Sequence, residues 1–329
     1  MLSRGLHRVV GQPGVLPQQA DRLDALSPCQ PGEIEVAVEH IHIDASSMRQ
    51  MRCAHGGEPG AVRTAVIDLV ARRGKLHNPV TDSGGMLTGI VRAVGCAFPA
   101  APSPGTRIAS LASLTLTPLR LDELGAIDAR SNSVRARGTA FLFDTSPWVA
   151  LPADIPEAVA LAALDVAGAP ARVRARTRPG DRVLIVGAGN SGSLAAIAAA
   201  EAGAGEVLIA DIDAARLRAL DALAVPGLRT LHADAGDALG FAASVGDPVD
   251  LSVSCVDRPG VESACILSTG AGGLILFFSM TTNFGRAALG AEGVGSAVTL
   301  EIGNGFYPGH AALVIEMLRR RPALWPLLA

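Results

Sequence analysis

The chain has 329 residues, a formal net charge of −3, 49% hydrophobic residues and only 3% aromatics. That length accommodates two domains, and their cores must be built from Ala, Leu, Val and Ile. The mild acidity argues against a nucleic-acid or polyanion partner. No apolar run reaches membrane-span length and no signal-peptide core opens the chain, so a cytoplasmic protein is expected. Five cysteines (Cys29, Cys53, Cys96, Cys255, Cys265) are scattered without a CxxC, which indicates neither a disulfide framework nor a clustered zinc site.

In chain order, residues 1–28 are loop-rich. Glu33–Ile43 (EIEVAVEHIHI) alternates polar and apolar residues and reads as a strand, followed by Asp44-Ala-Ser46-Ser47. Ala61–Arg73 places Val62, Val66, Leu69 and Val70 at helical spacing, and Gly74 closes it. Asn78–Gly85 is a polar loop. Strands are expected at Met86–Val94, Arg107–Leu116, Thr139–Phe143 and Trp148–Leu151. The first half is therefore mostly β with one inserted helix.

The character then changes. Pro156–Ala167 and Pro170–Arg178 read as helices leading into RVLIVGAGNSGSLAAIAAAEAGAGEVLIAD (Arg182–Asp211). Arg182–Val186 is a buried parallel strand and Gly187-Ala-Gly189-Asn190-Ser191-Gly192 a dinucleotide fingerprint. Ser193–Ala202 is an Ala-rich helix, and Glu206–Ala210 a second strand ending at Asp211. Gly187 permits the tight turn, Gly189 lets backbone approach a pyrophosphate, and Gly192 lets the helix pack close. The helix amino end offers N–H groups to phosphates. A carboxylate at Asp211 suits the ribose hydroxyls and repels a 2′-phosphate, so NAD is expected, with Arg216 near enough to keep NADP possible. Helices at Ala214–Leu223, 235–245 and Val261–Leu267 then alternate with strands near Thr230–Ala233, Asp250–Cys255 and Gly273–Ser279. Thr281–Gly295 is a Gly/Ala-rich loop or short helix, Val298–Gly303 a strand, and His310–Arg319 an amphipathic helix.

This order resembles the medium-chain dehydrogenase/reductase superfamily. The resemblance implies an α/β fold with a GroES-like β domain (1–152), a doubly wound Rossmann domain binding NAD(P) (153–290) and a segment (291–329) returning to the first domain. It also implies an active site in the interdomain cleft and a homodimer. Zinc members carry three ligands there. Their positions fall near His42, on Gly85 and near Ala162, and one imidazole cannot hold a catalytic zinc, so no metal is expected. A closer resemblance runs through Gly74–Val91, Ser113–Leu124, LAALDVAGAP (Leu161–Pro170), FFSMTTNFGRAALGAEGVG (Phe277–Gly295) and Gly303–Ala312. These blocks resemble the L-erythro-3,5-diaminohexanoate dehydrogenase family. It oxidatively removes the 3-amino group with NAD(P), giving 5-amino-3-oxohexanoate and ammonia. His42 and the stretch MRCAHGGEPG depart from that pattern.

Amine oxidation by hydride loss requires a neutral amine, hence a base. Three acids in apolar settings are candidates. Asp44 reads as base or ammonium anchor, or as a helix cap. Asp165 is an acid inside an apolar helix, catalytic or held by a structural hydrogen bond. Glu292 binds the distal ammonium or caps a turn. Arg120, beside Thr117, is the choice for the substrate carboxylate, against a surface pair with Asp122 or Glu123. Thr81 and Ser83 offer hydroxyls to substrate. His310 shuttles protons or is merely exposed at a helix start. Ser279 and Met280 are expected beside the nicotinamide. The competing readings are a zinc-free ketone or enone reductase and a non-catalytic dinucleotide sensor.

Overall fold

A computed structural model describes residues 4–127 and 132–328. The chain divides into two compact units, 1–153 and 154–329.

Among the described residues, the first unit is one six-stranded antiparallel sheet with two α-helices. Its strands are β1 (Glu33–Ile43), β2 (Gly85–Val94), β3 (Arg107–Ser110), β4 (Leu119–Leu124), β5 (Ser133–Phe143) and β6 (Trp148–Ala150), in the order β4-β5-β1-β2-β3-β6. The helices α1 (Ala45–Ala54) and α2 (Pro59–Arg73) follow β1. Along β1 the buried apolar residues are Ile34, Val36 and Val38, then Ile41 and Ile43. The parity switches because a register shift falls between Val38 and His40 against both neighbouring strands. One extra residue there keeps the apolar side chains inward on both halves of the strand. Met48 and Met51 of α1 and Val62, Val66, Leu69 and Val70 of α2 join this core.

The amino-terminal arm is fastened to the unit by buried charges. Arg8 and Glu33, both almost fully buried, pair at 2.6 Å, and Arg8 stacks over Phe141 at 4.1 Å. Lys75 is fully buried and donates to the carbonyls of Pro17 at 2.7 Å and Gln18 at 2.8 Å. Burial pulls its ammonium down to about 8.

The second unit opens with α3 (Glu157–Leu164) and α4 (Gly168–Arg176). It continues as β7 (Arg182–Val186), α5 (Asn190–Glu201), β8 (Glu206–Asp211), α6 (Ala214–Asp221), β9 (Leu228–His232), α7 (Ala238–Val245) and β10 (Val249–Ser254). Then come α8 (Glu262–Ser268), β11 (Thr269–Phe277), α9 (Phe284–Gly293), β12 (Thr299–Ile302), α10 (His310–Arg320) and a final short turn, α11 (Trp325–Leu328). The parallel sheet runs β9-β8-β7-β10-β11-β12. This is the doubly wound nucleotide-binding order, in which the order of strand addition reverses between β7 and β10 while every strand stays parallel. After Arg182, β7 is apolar because both faces are covered: Leu184 and Val186 face one core cluster, Val183 and Ile185 the other.

Several expectations need correction. The strand expected over Arg107–Leu116 ends at Ser110. Beyond it, Ser113 binds the amide of Thr115 and accepts the Thr117 hydroxyl on its carbonyl, which turns the chain. A helix, α1, occupies the stretch after Asp44. The C-terminal residues 291–329, expected to return to the first domain, belong to the second unit. β12 extends its sheet beside β11, and α10 packs against α3 and α4.

Candidate functional site

The first candidate site is the β7–α5 turn. Gly187 has φ +100°, and a Cβ there would lie about 3 Å from Val256 and Cys255, at the carboxyl end of β10. A Cβ at Gly192 would fall on the Gly187 carbonyl oxygen, so α5 can start this close to β7 only with glycine. Gly189, by contrast, has ordinary backbone angles and nothing within 4 Å of a Cβ. Its hydrogen faces open space, which is the clearance a pyrophosphate needs. No side chain caps the amino end of α5, where Asn190, Ser191 and Gly192 form the first turn. These features fit a dinucleotide whose phosphates sit at the helix amino end.

Asp211 ends β8 beside this turn. Its Oδ2 accepts the Ala188 N–H at 2.6 Å and its Oδ1 the Asp213 N–H at 2.8 Å. Arg216, in the first turn of α6, donates to the Ala188 carbonyl at 3.1 Å, and Ser193 Oγ donates to the same oxygen at 2.9 Å. Asp211 and Arg216 are thus both keyed to one residue of the glycine turn. Ser279 follows β11 and its hydroxyl lies 2.8 Å from that of Thr281, which reaches the Val256 carbonyl at 3.5 Å. Met280 is 71% exposed. Ser279 therefore shares the carboxyl-end rim of β7, β10 and β11 with Gly187.

The remaining candidates in this unit are dispersed. Asp165 is half-buried and is the C-cap residue of α3, its amide bonded to Leu161. Glu292 is exposed near the end of α9, and its carbonyl accepts the Gly295 amide at 3.0 Å. His310 opens α10 but is only 3% exposed, with its ring edge-on to Phe306 at 5.3 Å. The expectation of an exposed His310 is corrected, and burial holds its imidazole below the ordinary value.

The second candidate site lies in the first unit, where β1 gives way to α1. Asp44 caps α1, and its Oδ1 accepts the amides of Ser46 (2.9 Å) and Ser47 (3.4 Å), the Ser83 hydroxyl (3.1 Å) and, very closely, the Ser46 hydroxyl. Ser47, Thr81 and Ser83 form a triangle of hydroxyls at 2.6, 2.7 and 3.0 Å. The structure therefore unites Asp44, Thr81 and Ser83 and adds Ser46 and Ser47. Those two were signalled only by their spacing after a capping Asp. The loop carrying Thr81 and Ser83 is pinned by Asn78, which donates to Gln50 at 2.8 Å, and by His77, whose Nε2 meets Asp82 at 2.5 Å. Burial lowers the His77 imidazole, and the Asp82 contact opposes that.

Thr117 and Arg120 do not join this cluster. The buried Thr117 hydroxyl donates to the Ser113 carbonyl at 2.9 Å. Arg120 is half-exposed and pairs with Asp122 at 3.1 Å.

Gly85 is the position that the superfamily resemblance aligns with a zinc-binding histidine. Its φ is +119°, and a Cβ would fall on the His42 carbonyl oxygen. The backbone here has no room for any side chain. Among the described residues, no three His, Cys, Asp or Glu side chains group as a metal site.

The profile of the L-erythro-3,5-diaminohexanoate dehydrogenase N-terminal domain matches residues 7–152, which is the first unit. An L-erythro-3,5-diaminohexanoate dehydrogenase of Fusobacterium nucleatum is 39% identical over 97% of this chain and 95% of its own length. The chain belongs to the L-erythro-3,5-diaminohexanoate dehydrogenase family. A member from Acetoanaerobium sticklandii is 37% identical over 96% of this chain and 94% of its own. In fold, the chain is similar to an alcohol dehydrogenase from Thermus sp. ATN1, with a TM-score of 0.56 at 18% identity, covering 94% of this chain and 87% of that one. Membership of the diaminohexanoate dehydrogenase family makes this chain an oxidoreductase on a medium-chain dehydrogenase/reductase fold.

Proposed function

We propose that this protein catalyses the NAD-dependent oxidative deamination of L-erythro-3,5-diaminohexanoate, or of a close β-amino acid, to 5-amino-3-oxohexanoate and ammonia. Near-full-length identity to two proteins of that name carries the reading. The open approach at Gly189 and the placement of Asp211 support the cofactor assignment. When bound, the nicotinamide takes a hydride from the carbon that bears the amine.

The chain's own residues have three tasks. Gly187, Gly189 and the first turn of α5 hold the pyrophosphate. Asp211 accepts from the adenosine ribose, with lone pairs beyond those its two backbone amides use. Asp44 meets the substrate ammonium and takes its proton, leaving the neutral amine that hydride loss requires. Water then adds to the substrate iminium, and ammonia leaves. Asp165 and Glu292 are the further acids proposed for the diamine, and Arg120, Thr117 and His310 the further substrate contacts. A homodimer in the cytoplasm is part of the same proposal. No described helix is long and apolar enough to cross a membrane.

The test follows near-ultraviolet absorbance of reduced cofactor with 3,5-diaminohexanoate, simple alcohols and quinones as alternative substrates. Reduction of NAD by the diamine alone is expected. Turnover of enones or quinones instead would favour the reductase reading, and tight NADH binding without turnover the sensor reading.

A further inference from the structure

We propose that the hydroxyl cluster around Asp44 makes this site selective for an ammonium over a hydroxyl, with Oδ1 the oxygen held by the protein and Oδ2 the oxygen offered to the donor amine. The inference rests on the proposed deamination and specifies how the site recognises its donor group.

A carboxylate has two oxygens and about four lone-pair positions. All hydrogen bonds between the Asp44 carboxylate and the described residues fall on Oδ1: two backbone amides and two hydroxyls. That oxygen is saturated. The hydroxyl protons also have a fixed direction. Ser83 spends its proton on Asp44, so it accepts within the triangle, and Ser47 and Thr81 must supply the donors. Ser47 is 1% exposed and bridges Thr81 to Ser83. The hydroxyl protons of the network are thus polarised toward the carboxylate.

A group that joins Oδ2 must therefore donate. An ammonium brings three donors and a positive charge, and such charge-assisted bonds are the strong ones. A hydroxyl brings one donor and no charge, and a carbonyl brings none. The arrangement thus rewards an amino donor and disfavours the alcohol and the ketone of the same shape. Asp44 is the residue that touches substrate. Ser46 and Ser83 position it directly, and Ser47 and Thr81 act through Ser83.

The test is calorimetric binding of 3-aminobutyrate and its isostere 3-hydroxybutyrate to the full-length protein with NADH present. The wild type should bind the amine about tenfold or more tightly, the effect of about 1.5 kcal/mol from a hydrogen bond to charge. Asp44→Asn, which still caps α1, should bring the two affinities to near equality. Ser83→Ala should lower amine affinity roughly threefold or more by removing one donor, and Ser83→Thr should restore it. Circular dichroism and thermal melting confirm that each variant is folded. The proposal is overturned if the wild type shows no preference, if it binds neither acid, or if Asp44→Asn keeps the wild-type ratio. Turnover is not read, so a protein that discriminates these acids yet fails to oxidise 3,5-diaminohexanoate would sink the catalytic reading and leave this one standing.

Discussion

The Asp211 carboxylate is hydrogen-bonded to the Ala188 amide at 2.6 Å, tying the end of β8 to the middle of the glycine turn. Arg216 reaches the carbonyl of the same residue. On the proposed function, cofactor choice turns on the balance between these two side chains. Asp211→Ser should remove the repulsion toward a 2′-phosphate while leaving the Arg216 guanidinium in place. The ratio of kcat/KM for NAD over NADP should fall about tenfold or more, the worth of roughly 1.5–3 kcal/mol of charged hydrogen bonding. An unchanged ratio would show that neither residue reads the ribose.

The glycines of the turn divide into binding and packing roles that mutation can separate. Gly189→Ala puts a methyl group into open space and should leave the melting temperature nearly unchanged, while NAD binding weakens about tenfold or more. Gly192→Ala drives a methyl group onto the Gly187 carbonyl and should cost about 1–3 kcal/mol. That is about 2–4 °C of melting temperature for each kcal/mol. Paired melting curves and NADH titrations check both.

Gly85→His, which writes the zinc-type histidine back into the sequence, should fail to create a metal site. The positive φ and the contact with His42 forbid the side chain without a backbone shift, at a cost of about 1–3 kcal/mol or more. The variant should melt lower and bind no zinc after dialysis against the metal. A stoichiometric zinc ion in a folded variant would refute this.

Acid should destabilise the folded chain through its buried imidazoles. His77 and His310 are both held below 6.5 by burial. As pH falls through 6.5 the unfolded chain binds protons that the folded chain refuses, so stability is lost below that value until the folded imidazoles titrate. Urea midpoints should drop between about pH 7.5 and pH 5.5. His310→Gln should shrink that drop, even though it lowers the midpoint at the upper pH.

The sequence is readable where a single physical rule decides. The run Val183–Val186 is apolar on both faces, and the expected bounds, Arg182–Val186, coincide with β7. Glu33–Ile43 matches β1 because alternation survives the register shift at its centre. Alternation misleads at Ser113–Thr117, where the hydroxyls that look like the polar face of a strand bind their own backbone. α1 is hidden because only Ser47, Met48 and Met51 mark its buried face, and its start signal, Asp44, is also a candidate for chemistry. The hydroxyl cluster is the harder case. Ser47 and Ser83 stand 36 residues apart and meet only through the fold, so no local pattern pairs them. No pattern within 291–329 says which unit the segment joins: the resemblance implies a return to the first domain, whereas β12 and α10 group with the second unit.

The buried ammonium of Lys75 has a consequence for handling the protein. Pro17 and Gln18 supply the two carbonyls that bind it, and Arg73 holds the same arm through Asp21 and Leu23. Trimming the arm, by design or by a contaminating protease, strands a cation in an apolar interior. Damage that begins as a nick in the arm would then spread as loosening of α2 and the sheet it covers. Preparations with a ragged amino terminus should lose cooperative unfolding while the rest of the chain is still intact.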